Sequence, residues 1–175
     1  MSLYSLKKNY YKNIFTGWYF HKTILSIIKI GKLNRTKKNI LDFGCGYGIL
    51  KKSLPKSKIF NYDIDKRFSD YSKWQTLKFD IFVSNQVFYL FSKNQLIKLL
   101  DKLKKKNPKL ILIIGISYQN ILSKLIIKIF NLNGAHSFTK LSYNEQISVL
   151  KKKCLLIDSK NNFCANRIFK LKFKI

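Results

Sequence analysis

Two aspartates and three glycines are the residues in this chain best suited to holding a ligand. Asp42 lies in an apolar run, and Gly44, Gly46 and Gly48 follow at alternate positions. Fifteen residues past Gly48, Asp63 closes a second short apolar run, Lys58-Ile59-Phe60-Asn61-Tyr62-Asp63. Glycines at this density let a backbone come close to a ligand. Amides near the head of a helix suit a carboxylate, and an acid at the end of the next strand can accept both hydroxyl protons of a ribose. Strand, glycine turn, helix, strand, acid is the sequence form of a βαβ unit that binds a nucleoside-containing cofactor. A dinucleotide fingerprint, G-x-G-x-x-G, would put its third glycine at 49, where Ile49 stands. The ligand therefore need not be a pyrophosphate.

The elements that position these residues can be read from the apolar periodicity. Residues 39–43 read as a strand, 44–48 as the glycine turn and 49–54 as a short helix stopped by Pro55. Residues 58–63 and 79–84 read as the next two strands. Only sixteen residues lie between Asp63 and Asp80, too few for a crossover carrying a further strand and helix, so a helix and a strand of the usual α/β unit are reduced to a loop. Residues 94–106 form a basic amphipathic helix ended by Pro108, and 109–115 a central strand apolar on both faces. Helices follow over 119–131 and 143–153, with a loop over 132–141 between them. Strands over 154–158 and 166–174 pair as an antiparallel hairpin. The last strand interleaves Ile168, Leu171 and Phe173 with lysines, which suits a solvent-facing edge. Ahead of all this, residues 1–35 hold one or two amphipathic helices with Ile14, Trp18, Leu25 and Ile28 near helical spacing. That segment packs on the sheet edge, covers the cofactor as a lid, or lies on a membrane with Trp18, Tyr19 and Phe20 at the interface.

The run Ile40-Leu41-Asp42-Phe43-Gly44-Cys45-Gly46-Tyr47-Gly48 resembles the first motif, D/E-x-G-x-G-x-G, of the class I S-adenosylmethionine-dependent methyltransferases. The resemblance covers about residues 38–175. Asp63 stands where that family carries its acid after strand 2. Phe79-Asp80-Ile81-Phe82-Val83-Ser84-Asn85-Gln86-Val87 looks like the family's strand 4 and the turn after it, and the terminal hairpin like its reversed last strand. The segment Gly134–Ser142 resembles the small-molecule methyltransferases. The resemblance implies a Rossmann-like α/β fold, a class I sheet mostly parallel with a C-terminal antiparallel hairpin and shortened after strand 2. It implies S-adenosylmethionine as cofactor, held by Asp42, Gly44, Cys45, Gly46, Gly48, Asp63, Ile64, Asp70, Asn85 and Gln86. Asp42 would order the turn or meet the cofactor's ammonium, and Asp63 its ribose.

Asp70, Tyr71 and Trp74 fall where the family borders the adenine; they contact it, or they form an exposed loop whose aromatics cover the sheet. Ser84-Asn85-Gln86-Val87 is not the Asn/Asp-Pro-Pro-Tyr/Phe pattern of enzymes that methylate exocyclic base amines. His136 is either a general base working near neutral pH or a loop hydrogen-bonding group. His21 is a second, weaker candidate because it lies on a helix.

Composition bounds the rest. With 175 residues, 46% of them hydrophobic, the chain is expected to fold as a single methyltransferase-like domain, 1–35 being a helical cap and 38–175 the core. The formal net charge is +27. A polyanion partner, nucleic acid or an anionic membrane, accounts for it; so does the codon bias of an AT-rich genome, since only Arg35, Arg67 and Arg167 are arginines. Cys45, Cys154 and Cys164 lack CxxC spacing, so neither a disulfide framework nor a zinc site is indicated. No transmembrane run and no signal-peptide core is read, and a cytoplasmic location is expected. The expected activity is methyl transfer to a small-molecule, sugar or lipid acceptor. An RNA methyltransferase and a degenerate fold serving as a binding module are the alternatives, and peripheral membrane contact stays open.

Overall fold

Four consecutive buried residues, Ile40–Phe43, make β1, around which the other elements are arranged. The computed structural model describes residues 14–118, 138–162 and 166–174. The further strands are β2 (Ile59–Tyr62), β3 (Ile81–Asn85), β4 (Ile111–Ser117), β5 (Cys154–Asn162) and β6 (Asn166–Phe173). They form one sheet in the order β2-β1-β3-β4-β6-β5. The first four are parallel, and β6 runs antiparallel to both β4 and β5.

Alternation along the strands feeds two cores. Ile40, Ile81, Val83, Ile113 and Ile168 face one side, where Ile24, Ile27, Ile28 and Ile30 of helix α1 (Ile14–Gly31) and Leu50 of the short α2 (Ile49–Ser53) pack on them. Leu41, Phe43, Phe82, Leu112, Ile114 and Leu171 face the other, under α3 (Lys93–Lys106) and α4 (Tyr143–Lys153). Leu96, Leu99, Leu100 and Leu103 give α3 its buried stripe. Capping boxes start both of these helices: Ser92 with Gln95, and Ser142 with Glu145. Lysines crowd both last turns, where the helix dipole favours positive charge.

The shortened connection after β2 is present as read. Residues 63–80 contain one three-residue 3-10 turn, Trp74–Thr76, and no strand or α-helix. Trp74 is buried edge-on against Phe43, and Phe79 packs beside it, so two aromatics cover the sheet face there. β2 is consequently one edge of the sheet.

One expectation is overturned. The last strand is not an edge; β6 lies between β4 and β5, and β5 is the edge. The lysines of β6 mark a partly solvated face, not a solvated flank: Ile168, Lys170 and Lys172 share one face, of which only Ile168 belongs to the core beneath α1. Period-two lysines report which face meets water, and strand order is decided by pairing, which they do not encode. β5 also runs further than expected, to Asn162, and carries an irregularity between Leu156 and Asp158. The expected helix over 119–131 lies outside the described residues.

Candidate functional site

β1 and β2 end side by side, with Phe43 in register with Tyr62. The chain then turns sharply through Gly44, Gly46 and Gly48, all with positive φ (76°, 51° and 66°). At Gly44 a side chain is excluded twice. The backbone is left-handed, and a Cβ would overlap Val87 of the loop that follows β3. Glycine here lets the two loops at the carboxyl ends of β1 and β3 close on each other.

The amides of this turn are directed inward. Gly44 and Cys45 donate to the Tyr62 carbonyl at 2.7 and 3.2 Å, and Gly48 to the Cys45 carbonyl at 3.0 Å. Gly46 donates to the Asp63 carboxylate at 3.0 Å. The turn therefore offers a ligand a close backbone surface more than a row of free donors. Asp63 is buried, and its second oxygen accepts from Asp65 N–H at 3.0 Å. It ties the glycine turn to the end of β2, with both carboxylate oxygens engaged by backbone amides.

Asp42 is buried one step back on β1, opposite Asn61 of β2. Burial, with the charge of Asp63 added, pushes its carboxyl up to about 7. Asn61 reaches the same end of the sheet; its side-chain oxygen is buried without a hydrogen-bond partner. Two acids and an orphaned acceptor thus stand beside a glycine turn, in a chain of net charge +27.

The loop after Asp63 folds back over the turn. Cys45 Sγ donates to the Phe68 carbonyl at 3.2 Å, and the rings of Tyr47 and Phe68 lie 4.9 Å apart. Ile64 is 91% exposed, directly after Asp63. Asp70 sits at the rim and pairs with Lys51 of α2 at 2.8 Å, while its amide donates to the Asn61 carbonyl. Tyr71 is exposed, and Trp74 is buried in the core, not at the site. Of the aromatics considered for the adenine, Trp74 is therefore a core residue.

The end of β3 supplies the opposite wall. Asn85 accepts from Asn166 of β6 at 3.2 Å. Gln86 has a positive φ of 55°, its amide donates to the Gly115 carbonyl, and its side chain donates to the Tyr19 hydroxyl at 3.0 Å. Tyr19 thus turns toward the sheet instead of lying with Trp18 at a membrane interface. Burial pushes its phenol up to about 12, so it stays a neutral hydroxyl. A second set of bonds fixes α1 in this position. Asn162 Nδ2 donates to Thr23 Oγ1 at 2.8 Å, Ser26 Oγ donates to Asn162 Oδ1 at 2.8 Å, and Thr23 Oγ1 donates to the Tyr19 carbonyl at 2.9 Å.

The structure thus brings Asp42, Gly44, Cys45, Gly46, Gly48 and Asp63 together, with Ile64 and Asp70 along one rim and Asn85 and Gln86 on the facing wall. His136 lies outside the described residues. Tyr19, Asn61, Asn162 and Asn166 were not foreseen at this end of the molecule. The available signal was weak: Asn61 takes an inward position between Ile59 and Asp63, where an apolar residue is ordinary.

No family model matches the sequence, and no curated protein sequence matches it. Solved structures do match. The magnesium protoporphyrin IX methyltransferase of Synechocystis PCC 6803, with bound SAH, superposes with a TM-score of 0.63 at 13% identity, over 98% of this chain and 94% of that one. The N-methyltransferase NodS of Bradyrhizobium japonicum WM9, in complex with S-adenosyl-L-homocysteine, gives 0.57 at 16%, over 93% and 89%. The mitomycin 7-O-methyltransferase MmcR gives 0.58 at 13%, over 99% of this chain and 61% of that one. At such identities the likeness is one of fold. The chain has the Rossmann-like fold of the class I S-adenosylmethionine-dependent methyltransferases, mostly parallel with an antiparallel C-terminal pair.

Proposed function

We propose that this chain binds S-adenosylmethionine and transfers its methyl group to a small-molecule, sugar or lipid acceptor. The observation that carries this is the meeting of a glycine turn with two buried carboxylates at the carboxyl ends of β1 and β2. The residues suit the cofactor's chemistry. A close backbone surface accommodates its amino-acid tail, the Asp42–Asp63 pair attracts its positive charge, and the Asp63 carboxylate is of the acceptor type that suits ribose hydroxyls.

When bound, the cofactor supplies an electrophilic methyl group on a sulfonium. The chain's own task is alignment and the exclusion of water. The Asp63–Gly46 bond holds the turn rigid, Asp42 becomes ionised beside a cation, and Gln86 and Asn85 wall the side from which an acceptor enters. Among the described residues at the site, Tyr19 is held neutral by burial and Cys45 is engaged with the Phe68 carbonyl, so neither is set up as a base. This reading uses alignment of the acceptor without assigning a base.

Titration calorimetry of the full chain with S-adenosylmethionine and S-adenosylhomocysteine tests the cofactor. Saturable one-to-one binding of both is expected. A folded protein that takes up neither would end this reading. In turnover assays, lipid, sugar and small aromatic acceptors are then compared with RNA, and methylation of RNA alone would replace the acceptor class.

A further inference from the structure

Seven large apolar side chains stand exposed among the described residues, and five of them belong to two adjoining elements: Trp18 and Leu25 on α1, and Leu155, Leu156 and Ile157 on β5. The placement on α1 is regular. Trp18, Lys22, Leu25 and Lys29 recur at i, i+4, i+7 and i+11 and form one stripe, away from the buried Thr23, Ile24, Ile27 and Ile30. The Lys22 ammonium lies 5.9 Å from the centre of the Trp18 ring. Beside the stripe, Lys22, Leu25, Ser26 and Lys29 share a groove with Lys160 and Asn161 of the β5 edge. Further along that edge Leu155 stands opposite Lys172, just past the exposed Lys151 and Lys152, with Asp158 the acidic residue among them.

We propose that this α1–β5 flank seats the protein on an anionic lipid bilayer, the lysines against headgroup phosphates and Trp18, Leu25, Leu155 and Ile157 in the interfacial layer. Apolar side chains interleaved with lysines are the composition such a surface selects. Other occupants fit less well. A second copy would bring a net charge of +27 against another +27, and the irregularity between Leu156 and Asp158, with lysines nearby, interrupts a regular strand-to-strand ladder. An RNA backbone offers nothing to two leucines and an isoleucine, and lysines are point charges suited to a fluid phosphate layer rather than to a fixed bidentate partner. The seat has a functional consequence. α1 carries Tyr19 inward to Gln86, so a bilayer-seated α1 holds the carboxyl-end cleft next to the lipid surface.

Vesicle flotation of the full chain tests this without any cofactor, so its outcome is independent of methyl transfer. The protein should float with phosphatidylcholine/phosphatidylserine vesicles and not with phosphatidylcholine alone. Replacing Lys22, Lys29 and Lys160 together with Gln should weaken partitioning on the order of a hundredfold, from about fivefold per lysine. Leu25→Ser and the combined Leu155→Ser, Ile157→Ser change should each weaken it as well. The matched triple Lys102→Gln, Lys105→Gln, Lys109→Gln, remote from the flank, should stay within about threefold because screening limits the reach of a surface charge. Circular dichroism establishes that each variant is folded; should the β5 variant not fold, the lysine triple and Leu25→Ser decide alone. Equal loss in both lysine triples, equal binding to neutral vesicles, unchanged binding in the apolar variants, or binding to single-stranded RNA with none to vesicles would each overturn the proposal.

Discussion

Asp63 carries two duties on one carboxylate. It accepts the Gly46 and Asp65 amides, and the proposed function asks it to accept ribose hydroxyls too. Asp63→Asn keeps one acceptor oxygen but sets an NH2 against one of the two amides, and should weaken S-adenosylmethionine by at least roughly 1.5–3 kcal/mol, about 10- to 150-fold in Kd. Calorimetry on the folded variant measures it, and an unchanged Kd would remove Asp63 from the site. Asp42 makes the site sensitive to pH. Its carboxyl is raised to about 7, so half of it is protonated at neutral pH in the free chain, and a bound cation favours the ionised form. Affinity should therefore rise from pH 6 to pH 8 with uptake of cofactor releasing a proton, and Asp42→Asn should flatten the profile. The same shift acts on stability. The folded pKa lies above the unfolded value of about 4, so the stabilisation is fully present below that value and is lost as pH rises toward 7. Urea titrations of wild type and Asp42→Asn at pH 5 and pH 8 would resolve it: a wild-type stability independent of pH over this window contradicts it.

Among the elements, α1 joins the two halves of the molecule. Its inner isoleucines close one core, and its polar residues reach β3 through Gln86 and β5 through Asn162. Asn162→Ala strips the hydrogen-bonding partner from Ser26 and from Thr23 at a buried site, with an expected loss of about 1–3 kcal/mol. Ile27→Ala on the same helix should lose about 2–5 kcal/mol through its cavity. Denaturant titration reads both, and an Asn162→Ala variant as stable as wild type would mean that α1 is held by its apolar face alone. The trimmed β2–β3 connection is the other element-scale departure. Trp74 and Phe79 cover the sheet face with two aromatics, and the exchange leaves Ile64 in solvent and Asp70 at the rim.

For the molecule as a whole, 35 basic residues against 8 acidic ones repel one another in the compact state. Three ion pairs among the described residues, each partly exposed, offset little of this. Added salt should therefore raise the melting temperature by several degrees between about 20 mM and about 300 mM, as the screening length falls below 10 Å. Calorimetric scans across that range measure it, and a melting temperature that falls with salt would show that specific ion pairs outweigh the net repulsion.

By itself the sequence determined the local features. The strands of β1 to β4, the glycine turn, the stop at Pro108 and the shortened span after Asp63 were all legible, because periodicity, chirality and chain length act over a few residues. Asp42 and Asp63 could be named from spacing alone, since a βαβ unit must bring the ends of adjacent parallel strands together. Tertiary structure decided what depends on partners distant in sequence. It placed β6 inside the sheet and β5 at its edge, sent Trp74 into the core, and turned Tyr19 from a surface aromatic into a wall of the cleft. It also occupied the glycine amides with the chain's own acceptors and raised Asp42 through burial beside a second acid. Strand order, burial and electrostatic coupling are set by residues that meet only after folding, and no window of neighbouring residues contains them.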